Sequence, residues 1–567
     1  MKKLTALLVL VSFWTSLSAS VITEEQAMTL AHQFMASHQS LSQHKSAKTA
    51  RQALRLVHAQ KSGGNDADLY VYNIANKGGF IIVSGDDKTV APVLGYADEG
   101  EIDAGNMPSD LKYLLDEYSR QIEFIRQNGI DCTQETSGDK AGADEVPSRL
   151  LATSWLQTGV YAEQCPGSYT GCVATAMAQV LNYWKWPAAG QGTHTNGNCP
   201  EQSVDFSASQ YDWANMLDDY SGGYNETQGN AVARLMADCG ASVNMRYVQG
   251  GSSAYSADIP RALVSYFKYS TSARYIERND YKGDWNQMLI DELKAGRPVC
   301  YGGLSFMAGA HEFVCDGYRG DGYFHFNLAL EGLGDGYYLT SAIGHQDFGY
   351  NYEQNAVIGI CPDYEGECGH DAFCFTSLGN GEARLDYAID NGALKNVTIP
   401  SVVNIDGQEC KVTEIGHHAF MECMDMQSVS IPETVSSIDK FAFFGCSSLT
   451  YVTLPASVAS LGMKAFYDCS SLGDVYSFAS QPPATASNVF GTFGILHVLP
   501  ECYEAYAGAD TWKDFTIQPD LTTSVRDIIS TGGTPTLSGR AYNLQGMRAI
   551  NTMGRIVIVG GKKYIRF

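Results

Sequence analysis

The sequence predicts an α+β chain of several domains that ends in a repeat solenoid. Three observations predict it. Helical and strand-like periodicities alternate in the N-terminal part. A buried-helix pattern opening at Cys172 is followed, far downstream, by a strand hairpin around His311. Apolar positions recur every 23 residues between Ile415 and Val475. At 567 residues the chain is too long for one hydrophobic core, and its apolar fraction of 44% is that of ordinary globular protein.

The first elements set the compartment. Lys2 and Lys3 precede an apolar run from Leu4 to Trp14, and Ser18, Ala19 and Ser20 follow. That order reads as a secretory signal peptide over residues 1–20. The run is shorter than the roughly 20 residues a membrane-spanning helix needs, and no later stretch could span a bilayer. The expected address is secreted or cell surface. A net charge of −24 excludes nucleic acid as a partner, since that needs a basic face. The 15 cysteines are an odd number, so at least one thiol stays free. No paired C-x-x-C occurs, so no structural zinc site is expected, and no cofactor.

Residues 23–37 read as an amphipathic helix, with Thr23 as cap and Gln26 in the capping-box position. Strands are expected at Leu69–Ile74 and Phe80–Ser84, separated by Gly78-Gly79, and a second helix from Pro108 to about Gln127. Residues 131–147 are polar, small and aperiodic, the composition of an exposed, cleavable linker. Together residues 21–147 read as an α+β domain with its linker. Residues 148–364 follow as a domain rich in aromatics and glycine. A repeat domain over 370–518 and a tail over 519–567 complete the chain.

The repeat signal is specific. Ile415, Ile438 and Leu461 share one step with Phe420, Phe443 and Phe466, with Cys423, Cys446 and Cys469, with Met426, Leu449 and Leu472, and with Val429, Val452 and Val475. Units this short cannot bury an apolar face alone and must stack. The three cysteines read as a buried ladder of small apolar groups rather than a metal or redox site.

Chemistry concentrates at Cys172. From Val173 onward apolar residues fall at 173, 176, 177, 180, 181 and 184, a helix with one buried face. Cys172 then sits in the first turn, where free N–H groups and the helix dipole favour a thiolate, and Gly171 leaves room for a substrate backbone. His311 and Asn327 lie downstream in the order expected of a Cys–His–Asn constellation. Strands Glu312–Tyr318 and Tyr323–Asn327, joined at Gly320-Asp321-Gly322, would bring His311 and Asn327 near each other. Asn327 could then hold the imidazole in one tautomer and orientation.

At these residues the chain resembles the streptopain-type (C10) cysteine peptidases of the papain-like clan. TGCVATAMAQVLNYWKWP, residues 170–187, is similar to that family's active-site helix, and Trp155-Leu156-Gln157 to its "W-x-Q" segment. The resemblance covers about residues 21–362. It implies a papain-like two-lobed fold, one lobe helical and one a β-sheet, with protein or peptide substrates. It also implies catalytic roles for Cys172, His311 and Asn327. Gln157 and the Cys172 N–H would stabilise the oxyanion, an interaction whose loss typically costs ~10²–10³ in kcat. Residues 21–147, notably GGFIIVSGDDKTVAPVLGY, resemble the family's inhibitory pro-domain, which makes the pro-domain an intramolecular inhibitor. IGHHAFMECMDMQSVSIP and IDKFAFFGCSSLTYVTLP resemble surface-protein leucine-rich repeats, which implies a surface ligand. The last 30 or so residues resemble sorting tails of proteins exported by Bacteroidetes.

Two departures from the pattern stand out. Where the family reads "G-G-H-A-F-V", this chain has Gly309-Ala310-His311-Glu312-Phe313-Val314. Where it reads "N-W-G-W-G-G", this chain has Asn327-Leu328-Ala329-Leu330-Glu331-Gly332. Both tryptophans over the Asn–His contact are replaced by leucine, and strand alternation should turn Glu312 away from His311.

Other motifs carry no function. His311-Glu312-x-x-Cys315 lacks the second zincin histidine. Arg319-Gly320-Asp321 reads as a hairpin turn. The sequons at Asn225 and Asn396 are of a kind frequent by chance, and Gly332-x-Gly334-x-Gly336 has the wrong spacing for a dinucleotide loop. Two functions compete: a secreted cysteine endopeptidase made as a zymogen, and a catalytically impaired surface adhesin that binds through its repeats.

Overall fold

The computed structural model describes residues 21–38, 41, 54–134, 146–305, 309–344, 352–364, 372–389, 394–405 and 407–521. It also describes the backbone of three C-terminal strands, Ala541–Asn543, Arg555–Val559 and Lys562–Arg566. The expected signal peptide over 1–20, most of the expected linker and the rest of the tail lie outside the described residues. Among those described, no helix is long and apolar enough to cross a membrane. The chain divides into two units: residues 1–156, 218–222 and 276–356, and residues 157–217, 223–275 and 357–567.

The first unit opens with α1 (Glu24–Ser37). Thr23 and Gln26 close the expected capping box, and Ala27, Ala31 and Met35, four residues apart, form the buried stripe. Strands β1 (Leu54–Gln60), β2 (Leu69–Ile74), β3 (Phe80–Ser84) and β4 (Val93–Ala97) follow, then α2 (Ser109–Asn128), which ends at left-handed Gly129. The later segments add β5 (Val299–Ser305), β6 (Gly309–Tyr318), β7 (Phe324–Asn327), β8 (Gly336–Tyr338) and β9 (Gln354–Ile358). All nine lie in one sheet, ordered β1-β2-β3-β4-β8-β7-β6-β5-β9. The junction is the antiparallel pair β4–β8, with Tyr96 opposite Tyr337 and Gly95 opposite Tyr338. Arg319 braces it, bonding Asp98 at 2.8 Å while its guanidinium lies 3.9 Å from the Tyr337 ring centre. The N-terminal strands therefore extend the sheet that carries His311.

In the second unit α3 (Cys172–Trp184) packs beside the helix Glu226–Ser242, which Asn225 caps through a capping box with Gln228. The repeats follow. Phe420, Phe443 and Phe466 stack at 5.0 Å between centroids with planes within 4°, and Phe490 continues the column at 5.5 Å. Parallel strand pairs step with them, Glu414-Ile415 on Ser437-Ile438 on Ser460-Leu461. The stack outruns the regular period. Leu385 pairs with Ile415 before the first regular unit, and Ile495–His497 and Thr516–Gln518 extend it after the last. Altered spacing hides these end layers from a fixed-step reading. Cys446 and Cys469 are buried, and each thiol donates to the carbonyl of a ladder phenylalanine, Phe420 and Phe443, at 3.1 Å. Burial pushes the Cys469 thiol up to about 12 and that of Cys446 well above its ordinary value, so both stay protonated.

A column whose members touch only their neighbours should lose stability cooperatively. Phe443→Ala, with both faces stacked, is expected to cost about 3–5 kcal/mol in the repeat transition, read by denaturant unfolding. A loss under ~1 kcal/mol would mean the column does not hold the solenoid.

Candidate active site

Cys172 is the first residue of α3, and Gly171 before it has φ +89°. An L side chain is strained at that angle. It would also collide with Met245, whose Cε and Sδ lie 2.6 and 2.7 Å from the position of a Cβ, and crowd Ser252 at 3.3 Å. Thr175 locks the turn, donating both its N–H and its hydroxyl to the Gly171 carbonyl, at 3.0 and 2.9 Å. Among the described cysteines only Cys165, Cys172 and Cys361 are not buried, and burial pushes the Cys165 thiol up to about 11. Gln157 is joined to the same turn. The N–H of Thr170, two residues before Cys172, donates to the Gln157 carbonyl at 2.9 Å. The structure thus brings Gln157 and Cys172 together through their backbones.

His311 and Asn327 stand on adjoining strands. His311 pairs with Gly303 of β5, and Asn327 pairs with Val314 of β6. The Asn327 side chain is fully buried. Its Nδ2 donates to the Thr153 carbonyl at 2.6 Å, and its Oδ1 accepts from the Ala329 N–H at 3.1 Å. His311 Nδ1 lies 3.1 Å from Oδ1 of Asp110, a fully buried carboxylate in the first turn of α2. Tyr113, one turn on, is also buried, and a Cβ at Gly303 would strike its hydroxyl. The glycine opposite His311 thus makes room for α2. Glu312 is buried and faces Gly302 across the ladder, on the alternate side of the strand from His311 as expected.

Three family models match the chain. The Peptidase C10 family matches residues 155–338, the Spi protease inhibitor residues 19–122, and the BspA type leucine rich repeat region residues 385–492 in six copies. Streptopain of Streptococcus pyogenes is 34% identical over 340 residues, which are 53% of this chain and 82% of streptopain. The chain belongs to the peptidase C10 family.

This C10 peptidase is also 33% identical over 387 residues to the thiol protease/hemagglutinin PrtT of Porphyromonas gingivalis. The match takes in 61% of the chain but only 42% of PrtT, less than half that relative's length. A fragment of Prevotella intermedia prointerpain A is 34% identical over 54% of the chain and 98% of the fragment, at a TM-score of 0.47. The chain is a cysteine-type peptidase with a Spi inhibitor-like pro-domain and BspA-type repeats, and its mixed α+β architecture is the one expected.

Sequence reasoning missed two parts of the C10 site. One is Asp110, which no motif marks; only the burial of an acid in the first turn of a pro-domain helix could have raised it. The other is the backbone after Asn327. Ala329 and Glu331 stand where the family pattern has glycine, yet both keep left-handed φ, 57° and 55°. The loop has retained its path although its residues changed, at ~1 kcal/mol or more for each non-glycine. Asp335 fastens it, its Oδ1 accepting from the Leu328 N–H at 2.8 Å, and Leu328 is fully buried beneath. Glu331 is exposed, so Glu331→Gly should stabilise the protein by about 0.5–1 kcal/mol and Glu331→Val destabilise it by about 1 kcal/mol, measured by chemical denaturation. Equal stabilities would mean that the loop stores no strain.

Burial lifts the Asp335 carboxyl to about 6, opposed by nearby His325 and by the Leu328 N–H. A folded value above the unfolded one gives stability that is present in full below about pH 4 and is lost as pH rises through 6. Asp335→Asn keeps an oxygen for Leu328 and cannot ionise. Relative to wild type its stability should gain up to about 3 kcal/mol between pH 4 and pH 7. An offset that does not change with pH would contradict the assignment.

Proposed function

We propose that this chain is the secreted zymogen of a cysteine endopeptidase, with Cys172, His311, Asn327 and Gln157 as its catalytic set. The Cys172 thiolate attacks the scissile carbonyl, and the resulting oxyanion is held by the Gln157 side chain and the Cys172 N–H. The His311 imidazolium gives its proton to the leaving amine, which departs and leaves a thioester on Cys172. His311 then takes a proton from water, whose oxygen displaces the thiolate and releases the acid. Asn327 orients the ring. The position of Cys172 in the first turn of a helix supports its role, because that position favours the thiolate.

Latency rests on one observation, the buried Asp110 carboxylate 3.1 Å from His311 Nδ1. A ring nitrogen held by the pro-domain is not free to serve a thiolate. The carboxylate is fully buried, so it cannot turn away into solvent and release the ring. A signal peptide and surface-type repeats fit the secreted or cell-surface address.

Cys172→Ala should abolish peptide hydrolysis and leave the precursor full length. A separately produced 21–134 fragment carrying Asp110→Ala should inhibit the mature enzyme at least tenfold more weakly than the wild-type fragment. Hydrolysis that survives Cys172→Ala would refute the cysteine mechanism, and a processed wild-type chain that hydrolyses no peptide would favour the adhesin reading. Equal inhibition by the two fragments would remove Asp110 from the latency device.

A further inference from the structure

Besides Cys172 and Gln157, the second unit contains a cleft of about 470 Å³. Thr195, Asn196 and Asn244 line one wall, and Glu422, Met424 and Ser448 of the first repeats line the other. That volume is in the range of formed ligand sites.

The two walls are fixed to each other. Arg261 reaches across at 7% exposure, donating to the Met421 carbonyl at 2.6 Å and to Cys423 Sγ at 3.4 Å, while Asp258 holds its other nitrogen at 2.5 Å. Arg274 pairs with Asp386 at 2.9 Å, and the Tyr387 hydroxyl donates to the Ala273 carbonyl at 3.2 Å. Cys374, Tyr387 and Ile389 share a small core with Val264. The cleft is therefore a permanent feature of this unit.

Its place suggests its occupant. One residue, Met245, separates it from Gly171. The Met245 side chain lies against Gly171, and its carbonyl accepts from the cleft-lining Asn196 Nδ2 at 2.8 Å. A peptide bound at Cys172 and running about 3.3 Å per residue would need only a few more residues to enter. The lining suits a polypeptide. Hydroxyls at Thr193, Ser447 and Ser448 can donate and accept, as a peptide backbone requires, and half-buried Met424 adds adaptable apolar surface. Glu422 and Asp425 beside Lys395 give no single-sign field for a phosphate chain.

We infer that this cleft is a secondary substrate site, taking the extended polypeptide of a protein substrate beyond the residues bound at Cys172. The repeats thereby act in substrate selection. The inference rests on the peptidase reading.

Thr195 is exposed and Ser448 half-buried, so a bulky side chain at either should fill the cleft without entering a core. Thr195→Trp and Ser448→Trp would be made singly in the full chain and assayed after self-processing. One substrate would be a reduced, unfolded casein, the other a fluorogenic tripeptide amide. The expected result is a KM for casein raised at least fivefold with kcat within twofold, and tripeptide kcat/KM within twofold of wild type. Tripeptide cleavage by every form keeps the peptidase reading intact whichever way casein goes. Equal losses on both substrates, or no loss on casein, would overturn the inference. So would a loss seen only while casein carries its glycans, which would make the cleft a carbohydrate site. Fluorescence anisotropy of labelled casein on the Cys172→Ala chain, processed in trans by the wild-type enzyme and then separated from it and from the pro-domain, gives a reading independent of turnover. Thr195→Trp should weaken that binding at least fivefold, and unchanged binding would also overturn the inference.

Discussion

The pairing of β4 with β8 is the constraint on which the first unit depends. Through Tyr96–Tyr337 and Gly95–Tyr338, four N-terminal strands and the strands that carry His311 become one sheet. A sheet shared in this way fixes what lies on its face. The Tyr118 hydroxyl of α2 lies within hydrogen-bond reach of the carbonyls of both Leu94 and Leu339, on either side of the seam, which sets the height and rotation of the helix. From there Asp110 and Tyr113 meet His311 and Gly303. The Asp110–His311 contact is thus a consequence of backbone pairing, and the Spi inhibitor-like segment is a layer on the sheet that carries His311.

The segment from Leu150 to Gln157 distributes that order. The N–H groups of Leu150 and Leu151 donate to the Asp316 carbonyl and carboxylate, the Thr153 carbonyl accepts from Asn327, and the Gln157 carbonyl accepts from Thr170. Asp316 also pairs with His325 at 2.5 Å. Within the first unit this run braces the Asn327 strand, and in the second the Gln157 carbonyl holds the turn before Cys172. The same economy appears after Asn327, where the Asn327 carboxamide and the Asp335 carboxylate take the N–H groups of Ala329 and Leu328 in turn. Because these bonds use backbone N–H groups, the tryptophans and glycines of the family pattern could be replaced without the loop losing its course.

In the second unit the decisive interaction is Arg261. A guanidinium buried beside Asp258 is costly to desolvate and remains stable only when its donors are met, and the carbonyl of Met421 meets one of them. Burial lifts Asp258, and it lifts the neighbouring Glu422 to about 7, while the Arg261 charge opposes both shifts. The repeats are fastened to the helical segments by polar groups that only a fixed geometry can satisfy.

By itself the sequence determined what repeats along the chain. The capping box at Thr23, strands β2 and β3, the helix opening at Cys172, the hairpin after His311 and the 23-residue column all follow from local periodicity and turn chemistry. Cys172, His311, Asn327 and Gln157 each sit in a short pattern, which is why the sequence singles them out as candidates. Only the tertiary structure decided which distant groups meet. Asp110 on His311, Asp335 on Leu328 and Arg261 on Met421 involve partners 201, 7 and 160 positions apart. None of them leaves a period or motif in the chain. Left-handed Ala329 and Glu331 belong to the same class. A local reading assigns that conformation to glycine, and only the surrounding hydrogen bonds make it tolerable for the residues present.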